Sequence, residues 1–250
     1  VDPIKDPIPV VPTCHYQMGG IPTNYKGEVV APKDGNPEVR VNGFYAAGEC
    51  ACASVHGANR LGTNSLLDLV VFGKAAGNSM IDFIKHERPT LKPLPANAAE
   101  FSLARLARLE NQTGGEEVAD VRADMQKCVQ LRAGVFRNSE NLAKGVEEIK
   151  TIAERARHTQ IKDKSRVFNT ARIEALELDN LIEVAVATLV CAEARKESRG
   201  AHAHDDFPDR HDDEWMKHTL YDGKTRQLSY KPVHNTPLSV DYIAPQKRVY

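Results

Sequence analysis

The run from Ser54 to Gly73, SVHGANRLGTNSLLDLVVFG, decides how the first part of the chain folds. Gly57 and Gly62 flank a tight loop that carries Arg60. The text then becomes apolar from Ser65 to Ile84, which reads as a helix with Ser or Asn at its start and Asp68 in its first turn. Upstream, Val41 to Ala47 has the turn-bounded, aromatic and small-residue character of a short buried strand. Strand, Gly-rich loop and helix in that order is the grammar of an α/β fold. The glycine spacing invites comparison with a phosphate-binding loop. That motif continues with Lys and then Ser or Thr, whereas Thr63 and Asn64 stand here, so a nucleotide-triphosphate loop is not expected. What remains is a cation on a Gly-flanked loop beside a helix start, a combination that stabilises nearby negative charge.

Downstream, the Pro-broken stretch ERPTLKPLP leads into long charged helices with few glycines. Leu142, Val146, Ile149, Ala153 and Ala156 recur at alternating spacings of four and three, as one amphipathic helix requires. Val118, Val121, Met125, Cys128 and Val135 make a similar stripe, and Ile173 to Ala194 turns apolar nearly all round after Leu181. Three antiparallel helices satisfy these patterns. Beyond Arg195 the chain is polar and loop-rich until a strand-like pair near Gln227 to Val233. The expected organisation is α/β plus all-α: residues 1–88, the end of an α/β domain; residues 96–195, a helical bundle; residues 196–250, a small mixed α/β terminal domain.

A formal net charge of −1, from 33 basic and 34 acidic side chains, gives no bulk field to draw in nucleic acid or an anionic membrane. An anionic ligand must therefore meet locally placed cations. No run approaches the roughly 20 apolar residues that cross a bilayer. Five scattered cysteines read as reduced thiols without disulfides. A first residue of Val, followed by four prolines within twelve positions, reads as a connecting segment of a longer polypeptide.

Several side chains are candidates for chemistry. Arg60 is either a surface ion-pair partner or an anion grip, and its glycine neighbours and the adjoining helix start favour the grip. Glu49, at the end of the expected strand, can accept from a ribose hydroxyl. His15 lies between proline and paired glycines, where a ring is either structural or aimed at a ligand. Cys50 and Cys52 lack the further ligands of a zinc site and read as small core residues. The His202 to Asp213 cluster matches no metal-loop spacing and reads as solvated surface, so no metal site is expected.

Together, PTCHYQMGGIPTNYKG, AAGECACASVHGANRLGTNSLLDLVVFG and RKESRGAHAHDDFPDR resemble the flavoprotein subunits of succinate dehydrogenase and fumarate reductase. The similarity runs from Pro12 to Tyr250, and LLDLVVFG and IPT look more like the succinate dehydrogenase branch. By this resemblance residues 1–88 complete an FAD-binding domain. His15 and Arg60 bind substrate carboxylates, Glu49 meets the ribose region of FAD, and Ser65 and Leu66 face the flavin ring. The implied reaction oxidises succinate to fumarate, with hydride passing to flavin N5 and electrons to an iron–sulfur subunit and on to quinone in membrane anchor subunits. Such a protein sits peripherally on the bacterial inner membrane's cytoplasmic face or the mitochondrial inner membrane's matrix face. The family's dinucleotide fingerprint, covalent FAD histidine and proton-shuttle arginine are not in this stretch, so these 250 residues alone are expected neither to hold FAD firmly nor to turn over succinate. Two other readings stand beside it: a fumarate reductase flavoprotein, and a non-catalytic helical fragment that docks on a partner.

Overall fold

The computed structural model describes residues 2–9 and 16–246. The chain divides into two compact units, Val1–Pro89 and Thr90–Tyr250.

In the first unit, β1 (Ile21–Pro22) anticipates a parallel partner further on, and β2 (Glu28–Lys33) and β3 (Asn36–Tyr45) form an antiparallel hairpin. Asp34 and Gly35 make its turn with φ of 50° and 80°, the left-handed pair that Asp-Gly accepts at a tight hairpin. β4 (Ala51–Cys52) then pairs in parallel with β1. Its approach explains the second of the paired glycines: a Cβ on Gly20 would stand 2.4 Å from the Cys50 carbonyl oxygen. α1 (Asn64–Asp82) continues through a π-helical turn, Phe83–Glu87, and stops where Arg88 turns left-handed at φ 43°.

Three expectations need correction in this unit. The strand expected at Val41 to Ala47 belongs to a longer one, and it is not buried: Val41 is 38% exposed and Phe44 51%. Its only strand neighbour among the described residues is β2. α1 is not capped by Ser or Asn, because Thr63 holds the cap position at φ 73° and makes no side-chain cap bond. Asp68 lies beyond the first turn and is buried, and Ala76 is the other buried residue of α1. Ala76 meets the Gly27 turn, while Leu66, Leu67, Leu69, Val70 and Val71 stay exposed.

In the second unit, α2 (Glu100–Asn111), α3 (Val118–Arg132), α4 (Ser139–Ala156) and α5 (Thr170–Ala194) carry the core. β5 (Phe136–Arg137) lies between α3 and α4. The expected trio, α3 to α5, packs mutually around Val121, Leu142, Ile149, Leu178 and Leu189. Asn138 caps α4 by accepting from Asn141 N–H at 2.8 Å, and Asn169 caps α5 in the same way through Arg172 N–H. α2 is a helix the three-helix reading lacked. Its Arg108 donates to both Asp179 oxygens of α5 at 2.9 Å and to the Arg157 carbonyl that follows α4. Two stripes are narrower than expected. α3 ends at Arg132, leaving Val135 exposed, and α5 keeps Leu181 and Val184 outside while Leu178, Ile182, Ala185 and Leu189 go in.

The chain then runs through β6 (Ala203–His204), α6 (Asp212–Trp215) and a hairpin of β7 (Lys217–Asp222) and β8 (Gln227–Pro232). β6 pairs in parallel with β5, and β7 lies against α5, so the terminal segment is part of the same compact unit as the bundle. No helix among the described residues is long and apolar enough to cross a membrane.

Gly145 lets α4 approach its neighbours closely. A Cβ there would stand 2.6 Å from Arg132 Cβ and 2.8 Å from Leu189 Cδ2. Gly to Ala in a helix interior ordinarily stabilises by about 0.5–1 kcal/mol. Here overpacking, worth about 1–3 kcal/mol, opposes it. Gly145→Ala is therefore expected to lower the urea midpoint of the chain, and an unchanged or raised midpoint would show that the helices move apart freely.

In the His202 to Asp213 segment Asp205, Asp206, Asp209, His211 and Asp213 are exposed, as its composition suggests, but His202 and His204 are buried. His202 Nε2 donates to the Arg195 carbonyl at 3.0 Å and Nδ1 accepts from Arg137 Nη1 at 2.8 Å, which fixes a neutral ring. Burial, helped by the Arg137 charge and offset in part by the Arg195 carbonyl, pushes its pKa down from 6.5 to about 4. The unfolded chain takes up this proton near pH 6.5 and the folded chain only near 4. Stability is thus full above pH 6.5 and falls as pH drops toward 4, by about 3 kcal/mol from this ring. Urea midpoints between pH 7 and pH 5 would show the decline, and His202→Gln should flatten it; the same slope in that variant would assign the decline to other groups.

Candidate functional site

The site residues of the first unit gather where three segments meet: the extended stretch Tyr16 to Gly20, the loop from Gly48 to Gly62, and the start of α1. The first two are joined by backbone. Ile21 N–H donates to the Cys50 carbonyl at 2.9 Å, and Thr23 N–H donates to the Cys52 carbonyl at 3.0 Å. Glu49 strengthens the joint, its Oε1 accepting from Gln17 N–H at 2.8 Å. The Glu49 side chain is otherwise exposed, which leaves its second oxygen open to a ligand hydroxyl. Cys50 is exposed and Cys52 half-buried, so neither is the core residue its size suggested.

Arg60 is half-buried on its loop. Its guanidinium lies 4.6 Å from the centroid of the Tyr16 ring, and Nη1 donates to the Leu61 carbonyl at 3.1 Å. Nε is buried without a hydrogen-bond partner, and no carboxylate among the described residues pairs with this side chain. Most other described arginines pair with acids, such as Arg155 with Glu116 and Asp124. A desolvated, partly unsatisfied fork is suited to grip an external carboxylate.

His15 lies outside the described residues. Its neighbour Tyr16 is described, and it carries a contact the sequence did not show. The Tyr16 hydroxyl donates to Asp68 Oδ2 at 3.1 Å, the same oxygen that His56 Nε2 meets at 2.9 Å. The Tyr16 and His56 rings stand edge to face at 5.4 Å. Burial, then the bond and charge of Asp68, raise the Tyr16 pKa above its ordinary value, so the phenol keeps its proton and donates. Asp68 was legible in one respect, as a lone carboxylate inside an apolar helical run, which must find partners or not be buried. Ser65 is half-buried and Leu66 65% exposed at the first turn of α1. Among the described residues no group of three or more His, Cys, Asp or Glu side chains is placed to hold a metal ion.

The arrangement offers two adjoining surfaces. One is a cation on an aromatic shelf, and the other is an uncapped helix start with an apolar flank beside a free carboxylate oxygen. Residues 1–66 match the family model described as an FAD binding domain, and residues 122–250, just over half the chain, match the model described as fumarate reductase flavoprotein C-term. The succinate dehydrogenase flavoprotein subunit of Rickettsia bellii is 50% identical over 256 residues, covering 100% of this chain and 43% of that protein. The mitochondrial succinate dehydrogenase [ubiquinone] flavoprotein subunit of Oryza sativa is 48% identical, covering 100% of this chain and 40% of that one. Among solved structures, a variant of E. coli quinol fumarate reductase aligns with a TM-score of 0.82 at 37% identity, covering 100% of this chain and 41% of that chain. This chain thus spans about two fifths of the length of the curated relatives it matches. It belongs to the succinate dehydrogenase and fumarate reductase flavoprotein family.

Proposed function

We propose that the chain is the C-terminal part of a flavoprotein subunit that oxidises succinate to fumarate. The observation that carries this reading is the Arg60 guanidinium, held against the Tyr16 ring without a carboxylate of its own, next to the residue that follows His15. Succinate brings two carboxylates: Arg60 grips one through its planar fork, and His15 donates a directed bond to the diacid. Holding a flexible four-carbon chain at both ends removes the freedom that would otherwise misalign the methylenes.

The residues present also fit FAD. Glu49 presents an open oxygen for a ribose hydroxyl, and Ser65 and Leu66 offer a hydroxyl and an apolar contact at a helix start with no side-chain cap. When bound, FAD supplies the acceptor for the hydride that leaves succinate. The helix start favours negative charge nearby, and the exposed leucines and valines of α1 exclude water from that side. In organisation, residues 1–88 complete the FAD-binding domain, 96–195 form the helical domain and 196–250 a terminal domain. An iron–sulfur subunit takes the electrons and membrane anchor subunits hold the assembly at the membrane, on the cytoplasmic face in bacteria or the matrix face in mitochondria.

The test is reduction of the flavin in the complete subunit. Anaerobic succinate should bleach the oxidised-flavin absorbance. Bleaching by dithionite but not by succinate would sink the reading. A fumarate reductase running the same chemistry in reverse is favoured by the fold match to the E. coli enzyme. Assembled with its partners, it would reduce fumarate with a low-potential quinol faster than it oxidises succinate.

A further inference from the structure

Asp68 carries no step in the reaction above, yet it is the group through which the three site segments are connected. It sits in a helical run of leucines and valines and is 7% exposed. A carboxylate so placed must be satisfied, and one of its oxygens, Oδ2, accepts both from the Tyr16 hydroxyl and from His56 Nε2. His56 Nε2 therefore donates to the carboxylate, and its Nδ1 is buried and unpartnered. Tyr16 is held at its hydroxyl by Asp68 and at its edge by the His56 ring, and its aromatic ring bears the Arg60 guanidinium. His56 and Arg60 belong to one loop, Tyr16 follows His15 directly, and Asp68 lies three positions beyond Ser65.

We infer that Asp68 is a positioning residue for the substrate site. Its single oxygen locks the Tyr16 and His56 rings, and the Tyr16 ring sets the plane of the Arg60 guanidinium. The inference rests on the carboxylate-binding role proposed for Arg60. Its physical basis is preorganisation: an arginine fork on a flexible stem grips a carboxylate well only if its plane is fixed beforehand. A purely structural carboxylate would instead hold the helix to its neighbours and leave the geometry of the grip to Arg60 itself.

The experiment uses the complete flavoprotein subunit assembled with its partners, and the variants Asp68→Ala, Asp68→Asn, Arg60→Ala and Asp68→Ala with Arg60→Ala. Asp68→Ala is expected to lower kcat/KM for succinate on the order of 10²-fold with flavin content unchanged. Asp68→Asn, which keeps an oxygen for both donors, should recover most of that loss. In the Arg60→Ala background the Asp68→Ala change should have no further effect, because its action passes through the missing guanidinium. Normal kinetics in Asp68→Ala, or a full additional loss on top of Arg60→Ala, would overturn the inference. If Asp68→Ala fails to assemble, Tyr16→Phe decides: it cuts the hydroxyl link and keeps the ring, so about a tenfold loss is expected, and wild-type kinetics would refute the chain of contacts. Normal kinetics in Arg60→Ala would bring down the proposed substrate role itself, whereas a defective Arg60→Ala beside a normal Asp68→Ala would remove only the role of Asp68.

Discussion

Replacing Arg60 with alanine in the complete subunit is expected to lower kcat/KM for succinate by about 10²- to 10³-fold while FAD stays bound. The size follows from leaving a substrate carboxylate unpaired in a desolvated site, which costs about 3–4 kcal/mol. Folding should be little affected. Arg60 makes no described ion pair, and its contacts are the Tyr16 ring and one carbonyl. Arg60→Lys should recover only part of the loss, because an ammonium keeps the charge but not the planar two-pronged geometry. Steady-state kinetics with flavin absorbance as the control separate the outcomes. Equal losses of flavin and activity would mean that Arg60 supports the fold rather than the substrate.

The second large effect is one of stability. Glu197 is fully buried and accepts from Arg195 Nη1 at 2.6 Å, from Arg199 Nε at 2.7 Å and Nη2 at 3.0 Å, and from His211 N–H at 2.9 Å. Burial alone would raise its pKa; the Arg199, His211 and Arg195 hydrogen bonds outweigh that and hold the carboxyl below its ordinary range. Glu197→Ala would leave two guanidinium groups without their shared anion, a loss of about 3–5 kcal/mol. Arg199 would retain Asp212, whereas Arg195 would keep only carbonyl and hydroxyl acceptors. Urea unfolding of the chain would measure the loss. Glu147→Ala serves as the comparison: its pair with Lys150 is largely exposed on both sides and is worth less than about 1 kcal/mol. Equal shifts in the two variants would show that water reaches the Glu197 network.

The helices were legible where the apolar period was clean. Leu142 to Ala156 marks α4, and Val118 to Cys128 marks α3. α2 escaped because its fully buried position is Leu109 alone, while Phe101 and Leu103 face out, so the stripe pointed at no single core. In the site, Arg60 stood out as a cation between glycines, a property of the local sequence. The Tyr16 to Asp68 bond joins positions 52 apart, and nothing in either local stretch specifies that pairing. Composition misled at His202 and His204 for a similar reason. Their neighbours are Asp205 and Asp206, which read as surface, yet the parallel pairing of β6 with β5 draws the two rings inward.

That same short parallel pair bears on the order in which the second unit forms. β5 precedes α4 and β6 follows α5, so the two strands cannot meet until both intervening helices have closed a long loop of chain. The bundle can nucleate from local helical contacts, and the terminal segment docks on it afterwards. Substitutions in this seam therefore act on the rate of unfolding and leave the rate of folding nearly untouched.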